Sequence, residues 1–229
     1  MADVVESKEQ VLIRFRDKEL RGCTIKKLWL QGISLVGADL SDVTFEDCSI
    51  DEVNLTGAQL HRTKFLRTSA RSTNMTSATL VRASFSDCNL TELCLEKAHC
   101  EGVEFNRCDM DNLRADRSYF GNCTLFPNRA YGIKFRGATL IKLKVSVENG
   151  SPELIRAQLS DATVIDCELA QTNLLRADLR RALLVKCNLH RALLRDAVVD
   201  QCTLVQCVTM GAELPTALVG GSALHQPLG

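Results

Sequence analysis

Bulky apolar residues recur at every fifth position through Leu30, Leu35, Leu40, Phe45, Ile50, Leu55, Leu60 and Phe65. Two positions before each stands a small or medium residue: Leu28, Ile33, Ala38, Val43, Cys48, Val53, Ala58 and Thr63. The phase holds from Ile25 to Val145 with few exceptions. A helix of about 3.6 residues per turn cannot keep a five-residue apolar period on one face, and a plain strand alternates every two residues over a longer run. The pattern predicts a short unit in which the central residue and the one two before it point inward, and the other three form a bend and an outer surface.

A second period lies over the first. Phe45, Phe65, Phe85 and Phe105 stand 20 residues apart, as do Ala38, Ala58, Ala78, Ala98 and Ala138, with Ser118 as the one exception. Cys48, Cys88 and Cys108 form a third column, with Thr68 as its missing rung. Four units therefore make one turn of a coil, and repetition at a fixed period marks a stacked architecture. The expected fold class is all-β, a solenoid of about ten coils with four five-residue units each. At the usual strand spacing of about 4.8 Å, ten coils make a rod roughly 48 Å long.

The phase breaks once, at Ser146–Glu153, after which the central residues fall at Leu154, Leu159, Val164 and Leu169 and on to Val219, one residue early. A four-residue insertion and a one-residue shortening of a single side both produce that shift. The columns favour the second: Ala157, Ala177, Ala197 and Ala217 continue the alanines after a one-residue shift, and Cys167, Cys187 and Cys207 the cysteines. Glu148–Pro152 is then expected to replace one regular side, with Gly150 and Pro152 suited to an irregular loop. The divisions are residues 1–22 as lead-in and cap, 23–145 as the first part of the coil, 146–153 as the loop, 154–219 as the second part and 220–229 as a tail. Within the cap, Ser7 followed by Gln10 could start a short helix. Val11, Ile13 and Phe15 alternate as a strand does, which makes residues 11–22 the expected start of the coil.

Blocks such as VGADL, TGAQL, TSATL and RGATL show the unit most plainly. With Ala38-Asp39-Leu40, Cys88-Asn89-Leu90, Ala177-Asp178-Leu179 and Cys187-Asn188-Leu189, the chain resembles the pentapeptide-repeat proteins, whose motif is roughly A-(D/N)-L-x-x. The resemblance covers about residues 25–219 and implies a right-handed quadrilateral parallel β-helix. Its functional implications are several, because one fold hosts unrelated roles. Family members include DNA mimics that interact with gyrase or topoisomerase, and accessory or effector proteins of bacterial secretion systems. The gyrase-interacting members usually carry a carboxy-terminal dimerising helix, and the tail here has no helical period.

Charge narrows the classes. Twenty-eight acidic and 28 basic residues cancel, so no net field draws in nucleic acid or an anionic membrane. No apolar run approaches the roughly 20 residues of a membrane helix. The opening MADVVESKEQ has neither a basic start nor an apolar signal core. Of 11 cysteines, nine (23, 48, 88, 108, 123, 167, 187, 202 and 207) fall on the small inward position, Cys100 on the central one, and Cys94 alone outward. Thiols one rung apart point the same way and do not converge as zinc ligands must, so they are expected to pack as small hydrophobes. Reduced thiols suit a cytoplasmic location. His61, His99 and His190 fall outward and His225 lies in the tail, none beside a triad partner. No phosphate loop is present, and a filled core with flat sides offers no pocket. The expectation is a non-enzyme with no catalytic residue, cofactor or metal site.

The surface carries the remaining signals. Asp47, Arg67, Asp87 and Arg107 form an outward column of alternating sign, which destroys the sustained negative charge a DNA mimic needs. Asp42, Glu46, Asp47, Asp51 and Glu52 make a local acidic patch, and Arg176, Arg180, Arg181, Arg191 and Arg195 a basic one. Ile165, Val185 and Val205 form an outward apolar column, and Ile155 and Leu175 a second, shorter one. A contiguous apolar strip marks a contact surface, so these five are the candidate protein-contact residues. The expected function is a non-catalytic interaction scaffold with a protein partner, a second copy docking through the carboxy-terminal half being the cheapest.

Overall fold

The structure, a computed structural model, describes residues 3–146, 151–219 and 224–225. The chain winds as a β-solenoid of about ten turns with every strand pairing parallel. Four ladders run along it. The first side carries Ile25, Phe45, Phe65, Phe85 and Phe105 at its centre. The second is marked by Trp29↔Ser49↔Ser69, the third by Ser34↔Asn54↔Asn74 and the fourth by Asp39↔Gln59↔Thr79. Two sides broaden into eight-stranded sheets: the first side between Val4–Val5 and Lys144–Val145, and the fourth between Thr79–Val81 and Leu224–His225.

The corners explain the five-residue unit. The second residue after each centre takes a left-handed backbone conformation, for example Asp42 at φ 63°, Asp47 at 54°, Arg62 at 55° and Gly37 at 68°. That bend turns the chain by one side, and it is cheap for Gly and tolerable for Asp and Asn. Pro127 occupies one such corner, and its ring holds φ near −65°. The corner cannot form, so the strand Thr124–Arg129 runs on beside Glu104–Asp109, with register shifts on both sides of Pro127. The Asn128 side-chain amide donates to the Arg107 carbonyl at 2.9 Å across this irregular rung.

The break in phase is a four-residue insertion and not the shortened side that the alanine and cysteine columns favoured. Partners stand 24 residues apart across it: Lys134↔Gln158, Thr139↔Thr163 and Lys144↔Glu168. The Gln158, Thr163 and Glu168 amides donate to the Ile133, Ala138 and Leu143 carbonyls at 2.9 Å each. Ala138 is therefore followed in its column by Ala162 and Ala182, while Cys167, Cys187 and Cys207 continue the line of Cys123 and Leu143. All four sides take the same small residues at the inward position, so an alanine or cysteine does not mark its side. Of the expected replacement side, Glu148, Asn149 and Gly150 lie outside the described residues.

The cap also departs from expectation. Residues 11–17 are helical: helix α1 spans Lys8–Asp17, Ser7 caps it by accepting from the Gln10 amide at 3.2 Å, and Gln10 returns the bond to the Glu6 amide at 2.9 Å. This Ser7 cap, with Gln10 also holding the preceding Glu6 amide, outweighs the alternation of Val11, Ile13 and Phe15. Val11 is fully buried while Ile13 is 49% exposed. The first rung comes even earlier, where Val4–Val5 pairs with Thr24–Ile25. At the other end a short helix α2, Thr216–Val219, replaces the last expected units, with Leu218 buried.

The interior is continuous. Phe45, Phe65, Phe85 and Phe105 stack with ring centroids 5.0, 4.5 and 5.0 Å apart. Phe120 and Phe135 extend the aromatic filling. Beyond Phe135 the centres are leucine and valine, and a purely apolar cavity of about 20 Å³ remains beside Leu140, Val164 and Leu184.

Candidate protein-contact face

Each three-residue strand buries its central residue and turns its two flanking residues outward. On the fourth side those outward residues, from the seventh turn on, are Thr139 and Ile141, Thr163 and Ile165, Leu183 and Val185, then Thr203 and Val205. The strands pair in register, so Ile141, Ile165, Val185 and Val205 form one continuous column. None of the eight is charged, and seven are β-branched with the stiff χ1 that suits a flat sheet face. Ile165, Val185 and Val205 are half-buried by their neighbours, and Leu183 is 39% exposed. The first-side sheet is different in kind, with Lys26, Glu46, Lys64, Glu104 and Lys144 on its outer surface.

Toward the amino-terminal end the same face becomes polar. His99 and Tyr119 stack at 4.8 Å. A Cβ on Gly121 would lie 2.0 Å from Glu101 Oε2 and 2.4 Å from the Tyr119 hydroxyl, so the two side chains lie over that glycine. Glu101 also accepts from the Asn122 side-chain amide at 2.6 Å. Partial burial, and then the Glu101 carboxylate, raise the Tyr119 hydroxyl above its usual range.

The five residues expected to make one strip fall into two groups. Ile165, Val185 and Val205 come together. Ile155 and Leu175 belong to the second side, opposite the fourth across the coil. There they follow Tyr131, over whose ring the Arg156 guanidinium sits at 5.7 Å. Two members of the fourth-side face were missed in the sequence. Ile141 falls out of line unless the insertion counts four residues, and Leu183 occupies a position that its neighbours fill with threonine. Trp29, Val198, Val208 and Met210 are also exposed, scattered over other sides.

The charge ladders form as the alternation predicts. Arg67 bonds Asp47, and Arg107 bonds Asp87, each through Nε at 2.7 Å with Nη2 on the second oxygen. Arg62 on Asp42 and Arg181 on Asp161 repeat the arrangement. Bonding to the arginines holds the Asp42, Asp47, Asp87 and Asp161 carboxyls below their usual range. Glu46 is paired as well, with Lys26 and Arg67, so the acidic patch of the first turns is largely neutralised. The later stretch of the Asp42–Arg62 column, beside the uncharged face, differs. It reads Lys142, Asp166, Lys186 and Gln206, and among the described residues its charges make no ion pair. A shallow groove of about 680 Å³ along the third-to-fourth corner mixes Glu96, Lys97, Asp116, Arg117 and Arg136, with Asp116 and Arg136 bonded at 2.6 Å.

Ten of the 11 thiols belong to the interior. All 11 cysteines are free and buried. Cys94 faces outward as expected, between the inward Leu93 and Leu95 and outside the core cluster, yet it is only 4% exposed because Asn74, Arg114 and Thr76 Oγ1, 3.3 Å from its Sγ, shelter it. Most of the others donate to the central carbonyl of the turn below, as Cys48 does to Ile25 at 3.2 Å, Cys88 to Phe65 at 3.3 Å and Cys187 to Val164 at 3.4 Å. Thr68 makes the same bond to Phe45 at 3.3 Å, so the column selects a small donor. Burial pushes the Cys123 thiol up to about 12 and Cys202 to about 11. Among the described residues no three His, Cys, Asp or Glu side chains gather as a metal site would need, and no helix is long and apolar enough to cross a membrane.

Comparison with known proteins places this geometry. Residues 38–115 match the model of a pentapeptide repeat region, and residues 153–190 and 172–208 match that of pentapeptide repeats in eight copies. The sequence matches no curated protein. Among solved structures, a trypsin-treated form of QnrB1, a plasmid-mediated fluoroquinolone resistance protein, is similar over 79% of this chain and 91% of its own. Its TM-score is 0.56 and its identity 18%. HetL, a pentapeptide repeat protein involved in heterocyst differentiation regulation from the cyanobacterium Nostoc, covers 96% of this chain and 100% of its own at 20% identity, with a TM-score of 0.48. At such identities the likeness is one of fold.

Proposed function

The chain belongs to the pentapeptide-repeat family, and from that premise we propose that it is a non-catalytic interaction scaffold, a rigid cytoplasmic coil that docks a protein on the fourth-side face. The observation carrying this reading is the run of eight uncharged outward residues from Thr139 to Val205, on a coil whose other sheet is studded with charge. A flat, pre-organised face loses little entropy on docking, and a contiguous column of apolar residues marks a contact surface. The gyrase-directed DNA mimic receives less support, because Asp42, Glu46, Asp47 and Asp87 are each neutralised by a bonded cation.

The test compares immobilised wild type with Val185→Glu in extract of the source cell. The substitution leaves the core untouched, since Val185 points outward, and it places an unpaired charge in the contact. A partner held by wild type and lost by the variant is the expected result. A partner held equally by both would move the contact elsewhere. Inhibition of DNA supercoiling by gyrase that survives Val185→Glu would favour the mimic.

A further inference from the structure

Resting on that reading of the fourth-side face, we propose that its occupant is a second copy of this chain, packed face to face with the two coils antiparallel. A two-fold axis lying between the faces and along the strands reverses the order of rungs and keeps each column opposite itself. Centred between the Thr163–Ile165 and Leu183–Val185 strands, it sets Ile165 against the second copy's Val185 and Ile141 against its Val205. Thr163 then meets Leu183, and Thr139 meets Thr203. Every apolar residue of the face faces an uncharged one, and no charge is trapped between the copies.

An independent observation supports this arrangement. Four Asp–Arg pairs bond within the chain one turn apart along the corners: Asp42 with Arg62 in the early turns of the column bordering the face, Asp47 with Arg67 and Asp87 with Arg107 in a second column, and Asp161 with Arg181 along the face's other edge. From the seventh turn on, the column bordering the face reads Lys142, Asp166, Lys186 and Gln206, with no ion pair in that stretch among the described residues. The same two-fold axis that matches the apolar column sets Asp166 opposite Lys186 of the second copy, and Lys186 opposite its Asp166. Lys142 meets the neutral Gln206. The column is thus complementary to its own reversal, which a two-fold contact requires. The same axis sets the Tyr119–Gly121 rung opposite the Leu224–His225 rung of the second copy, with the His99–Glu101 rung beyond the overlap.

Size sets the strength. Four rungs of three-residue strands present about 200 Å² of flat face per copy, well below the roughly 800 Å² per partner of a standard stable interface. The dimer is therefore weak and in rapid exchange, and its ion pairs make it weaker in salt.

Sedimentation equilibrium from micromolar to near-millimolar protein tests this, with circular dichroism confirming that each variant keeps the wild-type fold. Wild type should approach twice the monomer mass at the upper end, and Val185→Glu should remain monomeric throughout. Asp166→Lys, at an exposed corner, puts like charges across the axis and should lower association at least tenfold. The exchange Asp166→Lys with Lys186→Asp should restore it. Wild type that stays monomeric over the whole range overturns the proposal, as does a charge exchange no better than Asp166→Lys alone. If wild type is monomeric yet captures a partner that Val185→Glu loses, the contact face stands and the second copy falls. If wild type is monomeric and that capture is also unaffected, both fall.

Discussion

Phe85 shows how much one inward position carries. Its ring lies between Phe65 and Phe105 at 4.5 and 5.0 Å, and none of it reaches solvent. Phe85→Asp buries a carboxylate against two aromatic faces, costs several kcal/mol and should yield insoluble or unfolded protein. Phe85→Leu keeps most of the apolar volume and should fold with a loss of about 1–2 kcal/mol, read as a lower midpoint in denaturant. The thiols make a second prediction at this scale. Cys123, Cys202 and Cys48 are all held above the usual thiol range by burial, so at neutral pH they are protonated and shielded. A thiol reagent at pH 8 should label native protein slowly and all 11 cysteines rapidly once the chain is unfolded. Fast labelling of several thiols in native protein would contradict the buried placement.

At the scale of the element, the unit is a short strand and a left-handed corner, and the ion-pair ladders run along those corners. Arginine bonding lowers the carboxyls of Asp42, Asp47, Asp87 and Asp161 in the folded chain. A group with a depressed folded value contributes stability that is present above its unfolded value and is lost as the pH falls through the folded one. The melting temperature should therefore hold steady near neutral pH and decline below about pH 4, where free aspartate begins to protonate. The quadruple variant with all four aspartates replaced by asparagine should lose that decline in part; an unchanged acid limb would show that the ladders contribute little. The Asp47–Arg67 and Asp87–Arg107 pairs were legible from the 20-residue period and the alternation of sign alone, whereas Asp42 and Arg181 were read only as parts of an acidic and a basic patch. Helix α1 was legible only as a rival to a strand, because Val11, Ile13 and Phe15 fit both, and the Ser7 cap decided between them.

Across the whole molecule the coil is filled unevenly. Aromatic rings occupy the axis as far as Phe135, and leucines and valines leave the cavity of about 20 Å³ beside Leu140, Val164 and Leu184. Val164→Ile adds one methylene into that space and should raise the melting temperature by a few degrees, the buried group contributing about 0.8 kcal/mol. A fall instead would mean that the cavity cannot take the added carbon without displacing its neighbours. Each turn contacts only the turns above and below, so stability is close to a sum of turns and their interfaces. The carboxy-terminal turns, with their smaller side chains, are where that sum is lowest.

What the sequence determined by itself was everything that repeats. Period and residue size alone specify four sides, about ten turns, the buried columns and the paired corners, since each recurs with every turn and is written many times over. What the tertiary structure decided were the single events. The insertion could be counted only from the backbone register, because alanine, cysteine and threonine serve every side alike. That count places Ile141 in line with Ile165 and moves Ile155 and Leu175 to the opposite side. A contact face depends on which residues share a side. In a coil whose four sides use one small alphabet, only the hydrogen bonds between turns assign them.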